Sequence, residues 1–156
     1  MSSRLQAWRV VLPFAALFSV CSLQAAETNA RSPVAEPVAA VLDGWRLAEA
    51  YAAVHSGCEV FVGRGDSMLP LYRDRTVLVV REIAMRDLCI GMTVVFTGDR
   101  GNLVAHRLVQ STSDGWLAMG DGNREPDRTL VNRRNFVGVV VKAYATPLPG
   151  AAVALQ

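Results

Sequence analysis

Four side chains in the sequence have the types and spacing of a nucleophile with its proton relay. Ser67 lies in "GRGDSMLPLYRDR", His106 in "NLVAHRLVQ", and Asp121 and Asp127 follow in "MGDGNREPDRTL". A serine hydroxyl is a poor nucleophile until a neighbouring base takes its proton, and that base works best when a third group fixes its orientation. Histidine suits the second role and a carboxylate the third. Each residue also has an ordinary alternative. Serine beside Gly-Asp is a common turn residue, a strand histidine is often a buried group with one satisfied partner, and Asp-Gly opens turns. Few competitors exist for the base, however. The chain has two histidines, and Lys142 is the only lysine among its 16 basic residues. His55 closes a helical segment, and Lys142 sits late in the last apolar run with no motif around it.

No cofactor or metal is expected. Asp121, Asn123 and Glu125 alternate as calcium ligands do, but Pro126 stands where the sharp-turn glycine belongs and Asn132 where the bidentate glutamate belongs. Cys58 and Cys89 have no ligand neighbour at CxxC spacing.

The elements that must hold these residues are short. "CEVFV", "TVLVVRE", "MTVVFT", "LVAHRLVQ", "GWLAMG" and "NFVGVVVKAYA" are rich in Val, Leu and Phe, and "GDRGN", "STSDG" and "DGNREPD" punctuate them. This pattern predicts a mainly β domain over residues 57–147, built as a folded antiparallel sheet. Before it, Val38, Val41, Leu42, Trp45, Ala48 and Ala52 recur at helical spacing, which predicts one amphipathic helix over 38–56 with Gly57 as its stop. Residues 27–37 mix Pro, Ser and charge and read as a linker; 148–156 read as a tail.

Composition bounds the rest. With 156 residues, 51% hydrophobic and 19% charged, the chain has enough apolar residues for one real core. A net charge of +2 without a basic run is too small to argue for a nucleic-acid partner, and none is expected. Arg4 and Arg9 precede an uncharged run from Val10 to Ala26, with small residues in "LQAA". This is the layout of a signal peptide over 1–26, and the run falls short of the roughly 20 apolar residues of a spanning helix. The mature chain is therefore expected in the periplasm or secreted, with membrane association only if the N-terminal segment is retained. In an oxidising compartment, Cys58 and Cys89 are expected to form a disulfide across the Ser67 turn.

The order of the boxes carries a resemblance. "GDSMLPLYRDRTVLVV", "IGMTVVF", "AHRLV", "MGDGNREPD" and "VGVVV", spread over about residues 59 to 143, resemble the successive boxes of the signal peptidase I and LexA-like serine peptidase superfamily. Most bacterial members use a Ser–Lys dyad. This chain is similar instead to the endoplasmic-reticulum and archaeal type, in which a His-Arg pair replaces the lysine. The resemblance implies a signal-peptidase-like serine endopeptidase with Ser67 as nucleophile, His106 as general base, and Asp121 or Asp127 as the orienting acid. The chain departs from the pattern at Gly65, where a hydroxyl residue often assists, at Asp66, at "GDGN" for "GDNN", and at Met92 for the usual Asp. The alternative on the same sheet is a non-catalytic module that binds an extended peptide by strand addition, which needs no nucleophile–base pair.

N-terminal sequencing of the exported protein should begin at Ala26 or Glu27. Recovery only in a membrane fraction with residues 1–26 attached would restore the anchored reading.

Overall fold

The computed structural model describes residues 32–146. The expected signal peptide (1–26) and tail (148–156) lie outside the described residues. The protein is mainly β, with one helix against a seven-stranded sheet. Every apolar run forms a strand: β2 (Cys58–Val62), β3 (Val77–Arg81), β4 (Thr93–Thr97), β5 (Leu103–Thr112), β6 (Gly115–Met119) and β7 (Phe136–Ala145). Val, Phe and Thr fit a pleated, half-buried surface, and the Gly-rich turns stop each run.

The strands lie in the order β2-β3-β7-β4-β5-β6, with antiparallel pairing throughout this path. One strand was not expected. β1 (Glu36–Pro37) pairs in parallel with the end of β7 through Tyr144 and Ala145. Residues 32–37 thus belong to the fold and are not a linker. Ser32 is buried with its Oγ 2.5 Å from Thr93 Oγ1, and the Tyr72 hydroxyl donates to the Pro33 carbonyl at 2.6 Å.

Helix α1 (Val41–Val54) is shorter at both ends than the spacing predicts. Ala40, at its N-cap, has no side-chain acceptor. Asp43 fixes the start instead, its Oδ2 accepting the Ala40 N–H at 3.1 Å. The face laid on the sheet is lined by Gly44 and Ala48, four residues apart and both buried. Their small size lets the helix sit close: a Cβ on Gly44 would lie 3.1 Å from Tyr144 Cβ.

Three apolar clusters form the core. Val77, Val79 and Tyr144 pack under α1 with Val38 and Ala48. Leu78, Val80, Val95 and Val140 form a second cluster with Met68 and Tyr72. Val94, Phe96, Leu108, Val131 and Val139 form the third. Alternate residues of one strand feed different clusters, as the two-residue period of a strand requires.

This partition also corrects the expected disulfide. Cys58 packs in the cluster beneath the helix, and Cys89 packs against the third cluster. No bond joins them. Cys58 opens β2 and Cys89 precedes β4, but those strands are not neighbours, since β3 and β7 lie between them.

β7 carries a tight backbone approach in the sheet. A Cβ on Gly138 would lie 2.7 Å from both the Arg81 carbonyl oxygen and Val80 Cγ1. Gly138→Ala should therefore cost about 1–3 kcal/mol by overpacking. Urea unfolding should show a lower midpoint with an unchanged slope.

Candidate active site

Ser67 sits where the chain leaves β2 and turns back into β3. Leu69 N–H donates to the Asp66 carbonyl at 3.1 Å and Tyr72 N–H to the Met68 carbonyl at 2.9 Å, so the serine opens a short helical turn. Met68 and Tyr72, one helical turn apart, are both buried in the second cluster and pin this turn to the sheet. Gly65 has φ +82°, in the left-handed region where a side chain is strained. The missing hydroxyl residue at that position follows from the backbone. Asp66, a carboxylate beside the serine, is engaged by the loop itself: its Oδ1 accepts Asp74 N–H at 3.2 Å, and Asp74 Oδ1 accepts Gly65 N–H at 2.9 Å.

His106 stands in β5 opposite Val94, 7% exposed. Its Nε2 lies 2.9 Å from Ser67 Oγ and its Nδ1 2.7 Å from Asp127 Oδ2. An ionised carboxylate only accepts, so Nδ1 carries the hydrogen and Nε2 is left to accept from the serine hydroxyl. Asp127 is placed by its own N–H, which donates to the Ala118 carbonyl of β6 at 2.8 Å. The turn between Ala118 and Asp127 also grips the nucleophile. Gly122 N–H donates to the Ser67 carbonyl at 2.8 Å, and Gly120 comes so near that a Cβ there would sit 2.5 Å from that oxygen. Among the described residues no protein acceptor takes the Ser67 N–H.

Of the two candidate aspartates, the structure brings only Asp127 to His106. Asp121 makes a bidentate pair with the next residue of β5, Arg107, at 2.7 Å from Nε and 2.6 Å from Nη2. Arg107 Nη1 also donates to the Gly91 carbonyl at 2.6 Å and to Ser32 Oγ at 3.0 Å. The hydrogen bond that Arg107 donates to Asp121 holds the guanidinium above its usual range. Tyr72 lies in the same field. Burial pushes its phenol up, Arg107 pulls it down, and Asp121 adds to the rise. Arg107 thus ties the Asp121 turn, the Gly91 turn and the N-terminal segment together. Its partners Ser32 and Gly91 carry no sequence signal.

The other possible bases are engaged elsewhere. Lys142 Nζ lies 2.5 Å from Glu36 Oε1 and 5.8 Å from the Tyr51 ring centre. Its hydrogen bond to Glu36 pushes the amine up, whereas a lysine base needs its pKa lowered. His55 stacks on Tyr51 at 3.9 Å and holds the Tyr51 carbonyl at the end of α1.

Ser67 and His106 line a cleft of about 490 Å³. Phe61, Met68, Leu78, Val95 and Ala105 supply apolar walls. Its size suits a ligand group of a few residues.

The chain matches no protein-family model, no curated protein and no solved structure.

The two aspartates should separate cleanly on mutation. Asp127→Asn should slow reaction of Ser67 with a phosphonate probe by about a thousandfold or more, through the wrong imidazole tautomer, at unchanged thermal stability. Asp121→Asn should lose about 1.5–3 kcal/mol of stability by weakening a charged hydrogen-bonded pair. The reverse pattern would exchange their roles.

Proposed function

We propose that this chain is an exported, signal-peptidase-like serine endopeptidase that cleaves a peptide bond in a protein substrate. One observation carries the reading: Ser67 Oγ, the His106 ring and the Asp127 carboxylate form a continuous hydrogen-bonded line of 2.9 and 2.7 Å at the wall of a cleft. A structural histidine needs one partner. This one has both nitrogens engaged, by the two groups an acyl-transfer site uses.

The steps follow from the roles. Ser67 Oγ attacks the scissile carbonyl while His106 Nε2 takes its proton, and the imidazolium is held by Asp127. The negative charge gathers on the former carbonyl oxygen, where the Ser67 N–H is the first available donor. His106 then protonates the leaving amine. Water then gives its proton to the same nitrogen as its oxygen bonds to the acyl carbon; the bond to Ser67 Oγ breaks, His106 returns the proton to that oxygen, and the acyl half leaves as a carboxylic acid. Export rests on the N-terminal sequence, and kinship with signal peptidases rests on the order of the boxes.

Peptide hydrolysis should vanish in Ser67→Ala and in His106→Ala, and the double variant should be no worse than either, because the two act as a unit. Lys142→Met should keep near-normal activity. These outcomes are read by mass spectrometry of a digested peptide mixture and by covalent labelling of Ser67. Activity lost with Lys142 and retained without His106 would overturn the assignment. Absence of labelling and cleavage in the unmodified protein would favour the peptide-binding module.

A further inference from the structure

We infer that the cleft selects peptides carrying an acidic side chain near the cleaved bond, with Arg73 as the specificity residue and Arg64 as its neighbour. This rests on taking the cleft as the peptide site of the proposed hydrolase. Both arginines line the cleft that holds Ser67 and His106, and its lining contains neither Asp nor Glu. Arg73 is half-buried and Arg64 exposed. Among the described residues, the arginine ion pairs are those of Arg86 with Asp87 and Arg107 with Asp121, so neither cleft arginine is neutralised by the protein. The carboxylates closest in sequence, Asp66 and Asp74, each accept a loop backbone N–H instead.

The surroundings increase the effect. Phe61, Leu78 and Val95 form apolar walls that limit screening, and low-dielectric clefts of one charge sign concentrate opposite charge. A guanidinium presents a planar fork that matches a carboxylate in two parallel hydrogen bonds. The partly exposed Val62 and Leu103, at 40% and 51%, line the same cleft and supply apolar contact for neighbouring substrate side chains. The favoured substrate therefore joins an apolar side chain to an acidic one in the same short stretch.

Binding tests this apart from catalysis. The full chain carrying Ser67→Ala is titrated with two series of short labelled alanine–leucine peptides, in which either Glu or Gln is moved through each position in turn. Fluorescence anisotropy should show at least one position where Glu binds about tenfold tighter than Gln, as a hydrogen-bonded charge pair gives. Adding Arg73→Gln should bring the two series to near parity while the Gln series binds as before. Arg73→Lys, which keeps the charge and loses the fork, should fall between. Equal binding of the two series, no binding of either, or a Glu preference that survives Arg73→Gln would overturn the inference. Labelling of Ser67 in the unmodified chain reports on the hydrolase separately. A Glu preference without labelling would keep the acidic-peptide cleft and remove the enzyme.

Discussion

The site depends on one backbone contact, the Gly122 N–H on the Ser67 carbonyl. It joins two parts of the chain that share no strand pairing: the turn between β2 and β3, and the loop after β6. Once the Gly120–Gly122 stretch lies on the Ser67 turn, the same loop delivers Asp127 to the far side of the His106 ring. The contact has a steric condition. Gly120 is so close to the Ser67 oxygen that a side chain there would force the two segments apart. Glycine thus does chemistry's positioning here by having no Cβ, and the departure from "GDNN" keeps a glycine at position 122 where the loop also crowds the Asp66, Ser67 and Leu69 carbonyls.

Adjacent residues of β5 divide the remaining work. Strand alternation sends His106 toward Ser67 and Asp127, and Arg107 toward Asp121, Ser32 and the Gly91 carbonyl. One pair holds the proton relay, and the other ties three loops to the strand that carries it. The Arg107 pair is partly buried and Arg107 makes four hydrogen bonds, a setting in which removing one charged partner is costly.

Most of the sheet was legible because its strands are short, β-branched and separated by strong turn signals. The apolar residues on both sides of the His-Arg pair in "LVAHRLVQ" were enough to place His106 inside a strand. The misses have physical causes. Strand β1 is two residues long, and its pairing partner is the far end of the chain, so no local pattern can reveal it. The helix begins late because Asp43, and not a cap residue at its head, closes its first turn. The disulfide failed because cysteine count and export say nothing of strand order, and β3 and β7 separate the two thiols' strands. Asp121 and Asp127 could not be told apart since both sit in one polar turn. Their difference lies in a tertiary pairing with Arg107.

β7 is the last strand among the described residues and pairs with β3 on one flank, β4 on the other, and β1 at its end. Without it no ladder joins the two halves of the sheet: a hairpin of β2 and β3 whose turn carries Ser67, and a meander of β4, β5 and β6 that carries His106. Neither half has a common ladder with the other until Phe136–Ala145 is laid between them. The order of its strands therefore makes the meeting of Ser67 and His106 depend on a strand that contains neither of them.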